Sequence, residues 1–109
     1  MAKHDPDLSL IFQALSDPTR RAILTRLGQG ATPASELARP TGLALPTVMR
    51  HLQVLEAAHL ITTEKTGRTR TCYARPDTFA ATMDWMADQR HQWQARTDRL
   101  EALLATLTD

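Results

Sequence analysis

Apolar residues recur along this chain with two different periods, and the change between them divides it into elements. Leu8, Ile11, Phe12 and Leu15 fall at i, i+3, i+4 and i+7, one stripe of a short first helix. Ser16-Asp17-Pro18 interrupts it. Aspartate caps helix starts and proline fits the first helical position, so a second helix begins there. It carries Ile23, Leu24 and Leu27 inward and ends near Gly28 or Gly30. Thr32-Pro33 repeats the cap-then-proline signal and predicts a third helix through Ser35-Glu36-Leu37-Ala38, which Pro40 stops because the residue before a proline disfavours helical backbone. Thr41-Gly42-Leu43 reads as a tight turn. Pro46 opens a fourth helix with Val48, Leu52 and Leu55 on one face and Thr47, Arg50, His51 and Gln53 on the other.

Past that helix the pattern becomes β-branched and partly alternating. Leu60 to Lys65 and Thr69 to Ala74 are two strand candidates around a Thr66-Gly67-Arg68 turn, a β-hairpin. From Asp77 to Leu107 one long helix is predicted, with Phe79, Met83, Met86, Trp93, Leu100, Leu104 and Leu107 at spacings of three, four or seven. The fold class that follows is mainly α with a small β-hairpin wing, a winged helix-turn-helix expected to be dimeric. A single domain spans 1–109: 8–28 for the first two helices, 33–58 for the helix-turn-helix, 60–75 for the wing and 77–107 for a C-terminal dimerisation helix. A chain of 109 residues buries only a modest core, which favours a partner subunit.

Composition adds bounds. Hydrophobic residues at 42% and charged residues at 23% are those of an ordinary globular protein. No apolar run approaches the roughly 20 residues that span a bilayer, and the start of the chain, Met1 to Asp7, is polar, so a cytoplasmic location is expected. The net charge of +1 says little, but its distribution says more. Between Thr19 and Arg75 stand nine cations (Arg20, Arg21, Arg26, Arg39, Arg50, Lys65, Arg68, Arg70, Arg75) against three carboxylates (Glu36, Glu56, Glu64). A concentrated basic segment suits a phosphate-facing surface, although a basic solvated surface has the same composition.

The order of elements gives that charge a purpose. Two short helices joined by a glycine turn are helix-turn-helix punctuation, and the second helix of such a pair enters the major groove. Thr47, Arg50, His51 and Gln53 each donate to or accept from base edges or phosphates, and Arg50 suits the bidentate contact to guanine. Arg68 and Arg70 at the hairpin tip place cations against neighbouring phosphates. Singly, each of these is what any solvated helix or hairpin carries; together, in this order, they point to duplex DNA.

The run Ile11-Phe12-Gln13-Ala14-Leu15-Ser16-Asp17-Pro18-Thr19-Arg20-Arg21-Ala22-Ile23-Leu24 resembles the opening of ArsR/SmtB-type winged-helix repressors. Ser35-Glu36-Leu37-Ala38, the stretch from Val48 to Ala58 with its Arg50-His51-Leu52 core, and Gly67-Arg68 through Tyr73 continue it in register, roughly from Leu8 to Leu104. The resemblance implies a homodimer held by the first and last helices, with Leu8, Ile11, Phe12, Met83, Met86, Trp93, Leu100 and Leu104 at its interface, bound to an operator of two-fold character. Three departures stand out. The third helix lacks the thiols of metal-sensing members, and the last offers His91 without a second spaced histidine, so metal sensing through the usual ligands is not expected. Met49 replaces a common serine and Ala44 a small polar residue, and the missing cap costs the reading helix about 1 kcal/mol. His59 stands where a glycine usually ends that helix, so it must accept a left-handed conformation or a different cap.

Other readings remain open at this level. Cys72, with Arg70 and Arg75 near it in sequence, suits a thiol-based switch, or is one residue of a strand. His4, His51, His59 and His91 lie on different elements and read as surface polar residues by default; a metal site across a dimer from His91 and acidic neighbours such as Asp88 is the alternative. Met83, Met86 and Trp93 form either a packed seam, interrupted by Arg90 and Thr97, or the wall of a ligand pocket between subunits. No Ser/His/Asp set, phosphate-binding glycine loop or carboxylate pair is legible, so no catalytic residues and no cofactor are expected. The competing function is a winged-helix module for protein partners. The sequence names no inducer.

Overall fold

A computed structural model describes residues 7–108. Helix α1, Leu8–Leu15, starts at Asp7, whose carboxylate accepts the Leu10 N–H at 3.2 Å. Helix α2, Pro18–Leu27, starts at Asp17, which accepts the Arg20 N–H at 3.0 Å, with Pro18 in the first helical position. An α-helix leaves its last four carbonyls without intrahelical donors, and α2 supplies most of what α1 lacks. Arg20 donates from Nε to the Ala14 carbonyl at 2.7 Å and from Nη2 to that of Gln13 at 3.0 Å. Arg21 Nη1 donates to the Leu15 carbonyl at 2.8 Å. The two arginines counted as basic surface thus serve the α1–α2 corner.

Strand β1, Thr32–Pro33, precedes helix α3, Ala34–Ala38, a 3-10 turn at Arg39–Thr41 and helix α4, Leu45–Ala57. Strands β2, Ile61–Thr66, and β3, Thr69–Ala74, lead into helix α5, Pro76–Leu107. The sheet has three antiparallel strands in the order β1-β3-β2, one more than the expected hairpin. Thr32 and Pro33 pair with Cys72 and Thr71. Thr32 is therefore a strand residue rather than the cap of α3; its hydroxyl bonds the Gly30 carbonyl, and α3 begins after Pro33 with no side-chain cap. Gly67, at φ +63°, makes the two-residue turn between β2 and β3.

One apolar cluster joins these elements: Ile11 and Ala14 of α1, Ile23, Leu24 and Leu27 of α2, Leu37 of α3, Val48, Leu52 and Leu55 of α4, then Leu60, Ile61 and Cys72. Helix α5 gives this core little. Its buried residues are Thr78 and Thr82, with Phe79 packed on the edge of the cluster. The rest projects outward, and the molecule measures 72 × 39 × 22 Å. No helix among the described residues is long and apolar enough to cross a membrane.

The end of α4 fixes where α5 begins. His59 has φ 60°, the one non-glycine residue with positive φ among those described. Its N–H donates to the Glu56 carbonyl at 2.9 Å, and the Leu60 N–H reaches the Leu55 carbonyl at 3.1 Å. That pair of bonds is the Schellman closure, built here without its usual glycine. Thr78 Oγ1 then donates to the His59 carbonyl, and the Arg75 N–H to that of Leu60 at 2.9 Å. The first turn of α5 therefore hangs on the left-handed turn. A side chain in that conformation costs roughly 1 kcal/mol, so His59→Gly is expected to raise unfolding stability by about that amount in chemical denaturation. A variant less stable than the parent would show that the His59 side chain contributes more than its backbone strain removes.

Candidate nucleic-acid interface

The turn between α3 and α4 is built by Thr41 and Gly42. Thr41 Oγ1 donates to the Ala38 carbonyl at 2.6 Å and accepts the Leu43 N–H at 3.0 Å, while Gly42 takes φ +69°. Ala44, extended, precedes α4 and offers no side-chain cap; Pro46 occupies the first turn and has no N–H to leave unpaired.

Helix α4 presents three kinds of surface. Val48, Leu52 and Leu55 are buried in the core. At about 100° per residue, Arg50 and Gln53 fall on the opposite side, and both are exposed, as is Val54. Met49, Gln53 and Glu56 line a cleft shared with Thr63 and Arg70 of the wing. Thr47 is half-buried, and His51 turns toward α2. The His51 side chain is 18% exposed. Its Nδ1 lies 3.2 Å from Arg20 Nη1 and 3.9 Å from an Asp17 carboxylate oxygen. Of the four polar residues expected to read bases, His51 is thus drawn into the α1–α2 corner by a contact across 31 residues that helical periodicity does not reveal. The Arg20 N–H above all, with positive charge nearby, holds the Asp17 carboxyl below the usual carboxylate range against a partial desolvation.

The wing brings its cations beside α4. Lys65 and Arg70 are register partners across β2 and β3, and Arg68 stands in the turn beyond them. With Ser35, Leu45 and Met49 they line a cleft of about 320 Å3 between the helix-turn-helix and the wing. Like charges directly opposite each other destabilise a strand pair, so this placement is costly unless an anion sits between or beside them. Arg70 is also tied down: Nη1 donates to Thr63 Oγ1 at 2.9 Å, and Thr63 donates to the Glu56 carboxylate at 3.3 Å. Lys65 was not among the expected site residues. Counting the hairpin register outward from Gly67-Arg68 pairs it with Arg70, a signal already in the sequence. Arg75 contributes less to the basic surface than its count suggests, because it pairs with Asp77 at 2.9 Å.

Two expected roles change. Cys72 sits fully buried in β3, and burial, with Glu56 adding to it, pushes its thiol up to about 11 against the opposing pull of Arg70. It is a protonated core thiol, which removes the basis for a thiol switch. Ile11, assigned to the dimer surface, is 0% exposed within its own protomer and packs in the core cluster. The other residues expected at a dimer interface lie outside the core: Leu8 is half-buried, and Phe12, Met83, Met86, Trp93, Leu100 and Leu104 are exposed, Trp93 by 67%. Trp85 and Leu103 extend that surface. Phe12 meets Trp85 edge to face, with ring centroids 6.0 Å apart, so the α1 and α5 patches are continuous.

For the metal reading, no group of three or more His, Cys, Asp or Glu side chains suited to an ion forms among the described residues of one protomer. His4 lies outside the described residues. Asp88, the expected neighbour of His91, accepts from Gln92 at 3.3 Å.

The Helix-turn-helix domain family matches residues 15–64. The chain superimposes on the crystal structure of an ArsR family transcriptional regulator with a TM-score of 0.76 and 48% identity, covering 80% of this chain and 96% of that one. It is 41% identical over 70 residues to the HTH-type transcriptional regulator Rv2034 of Mycobacterium tuberculosis, spanning 64% of this chain and 65% of the relative. Over 58 residues it is 36% identical to the transcriptional repressor SdpR of Bacillus subtilis, spanning 53% of this chain and 64% of the relative. The matched stretch is thus just under two thirds of either curated relative.

The Cys72 environment is open to direct measurement. With a pKa of about 11 rather than the ordinary 9.0, its thiolate at pH 8 should be on the order of a hundredfold scarcer than in the unfolded chain. A colorimetric thiol reagent should therefore label the folded protein at least that much more slowly than the urea-unfolded one. Equal rates in the two states would restore the switch.

Proposed function

The chain belongs to the ArsR family of transcriptional regulators, whose members bind DNA and are not enzymes, and on that premise we propose a specific role for it. The protein is a homodimeric, sequence-specific DNA-binding repressor, a single winged helix-turn-helix domain acting in the cytoplasm on an operator of two-fold character. It does not sense metal through the family's usual ligands, and any small-molecule inducer is unidentified.

One observation carries the DNA reading: the first turns of α4 and the cations Lys65, Arg68 and Arg70 flank the same cleft. A helix laid in the major groove would bring that cleft against a phosphate strand, which relieves the opposition of Lys65 and Arg70. Arg50 and Gln53 carry base contacts, Arg50 as a fork for guanine. Thr47 stands at the groove's edge. Arg68 and Arg70 bind phosphate, Arg70 from a fixed position. Leu45, exposed in the first turn of α4, adds an apolar contact that suits a thymine methyl.

The dimer reading rests on α5. Phe79, Met83, Met86, Arg90, Trp93, Thr97, Leu100, Leu104 and Leu107 alternate steps of four and three, the period of a two-helix seam. A helix of 32 residues draws most of its stability from packing, and beyond Phe79 this one leaves its stripe uncovered within the protomer. A second copy suits the stripe, because the same helix carries both signs of charge, Asp84, Asp88, Asp98 and Glu101 with Arg90, Arg96 and Arg99. Leu8 and Phe12 extend the seam onto α1.

Binding to the DNA upstream of its own gene should exceed binding to scrambled duplex and fall steeply with salt, because phosphate contacts release counterions. Arg50→Ala should weaken the specific site by about 1–3 kcal/mol and relax preference at one base pair, whereas Lys65→Ala or Arg68→Ala should weaken all duplexes alike and lower the salt slope by about 1. Salt-insensitive binding without duplex preference would favour a protein partner instead. In sedimentation the protein should run as a dimer and Trp93→Glu as a folded monomer. A wild-type monomer at tens of micromolar would sink the dimer reading.

A further inference from the structure

Helix α4 is tied to α1 by a polar chain that no groove contact requires. Arg20 spans it: Nε and Nη2 hold the Ala14 and Gln13 carbonyls at the end of α1, and Nη1 meets His51 Nδ1 at 3.2 Å. A guanidinium donates and cannot accept, so His51 Nδ1 is the acceptor and the ring proton sits on Nε2. The Asp17 oxygen that accepts the Arg20 N–H lies 3.9 Å from His51 Nδ1, beyond hydrogen-bond range of the ring. Arg20, His51 and Asp17 are half-buried, and no fully buried side-chain polar atom among the described residues lacks a partner.

We propose that Arg20 and His51 are positioning residues: a strut that sets the orientation of the reading helix against α1, so that operator affinity depends on His51 Nδ1 although His51 reads no base. The inference rests on the DNA-binding reading and assigns to His51 a role different from that of Arg50 or Gln53. Losing the strut leaves the phosphate and base contacts in place but frees α4 to sample other tilts, so affinity falls while the salt slope and the base preferences stay unchanged.

Two isosteres of His51 separate the roles. The Asn side-chain oxygen reaches the place of Nδ1, and Gln places its polar end where Nε2 lies. His51→Asn should therefore bind operator nearly as the wild type does. His51→Gln, folded to the same helix content by circular dichroism, should lose roughly two- to thirty-fold with the same salt slope. Gln binding better than Asn would make Nε2 a groove contact and overturn the strut, as would equal affinities for both variants. Long-range 15N NMR of the free wild type supplies a test without DNA: the Nε2–H tautomer is expected, and an Nδ1–H tautomer would overturn the assignment. A wild type that binds no duplex at any salt, with the Nε2–H tautomer intact, would retire the DNA reading and this use of the strut together. In that case the failure lies in the premise and not in the geometry of His51.

Discussion

The rest of this structure depends on how the last carbonyls of α1 find donors. An eight-residue helix is too short to hold itself in water, and its end is closed by two arginines of the next helix together with its own cap, Ser16, at the Gln13 carbonyl. That closure fixes the angle at which α2 leaves, because Arg20 and Arg21 reach back only if α2 starts at Pro18, and Asp17 makes it start there. With α1 and α2 set, Ile11, Ala14, Ile23 and Leu24 present one surface on which α4 packs. The Leu-Ser-Asp-Pro-Thr-Arg-Arg run is thus a structural joint, and its basic character has been spent on carbonyls before any phosphate arrives.

Helix α4 then carries several demands at once. Its start lacks a side-chain cap at Ala44, its end places a histidine in left-handed backbone, and the neighbouring wing sets Lys65 opposite Arg70. Each runs against a local preference. Sites where local rules are broken against a consistent background are where function is expected, and two of the three, the uncapped start of α4 and the Lys65–Arg70 pair, flank one cleft. The broken rule at His59 differs from the others, since its turn also serves the fold by offering the carbonyl that Thr78 takes.

Local signals in the sequence were reliable where the chemistry was local. Asp17-Pro18 as a helix start, Pro46 in the first turn of α4, and Gly42 and Gly67 at their turns all follow from neighbouring residues and appear in the structure, while His59 takes the left-handed one of the two alternatives the resemblance left open. What failed depended on distant partners. β1 has two residues, and only its pairing with β3 makes it a strand, so Thr32 looked like a cap. Periodicity placed Ile11 on an apolar face without saying which body covers that face, and the protomer's own core does. His51 shared a polar face with Arg50 on a helical wheel, yet Arg20 claims it. Cys72 has Arg70 and Arg75 near it in the chain, but burial outweighs the effect of Arg70. On the proposed DNA-facing surface, residue types were legible and directions were not.

The two helices proposed to build the dimer are fastened to α4 at different points, which has a mechanical consequence. α1 reaches the middle of α4 through Arg20 and His51. α5 reaches its end through Thr78 at the His59 carbonyl and Arg75 at that of Leu60. Between these fastenings α4 is packed by Leu52 and Leu55, which are buried and leave little room to turn independently. In a dimer seamed along α1 and α5, the tilt of each reading helix is therefore set by the seam. The spacing of the two reading helices, which must match a turn of duplex, and the packing of Trp93 and its neighbours become one variable. A ligand acting on such a protein has no need to touch the DNA-facing surface: any compound that shifts the seam, or the turn at His59, moves the reading helices out of register with the groove.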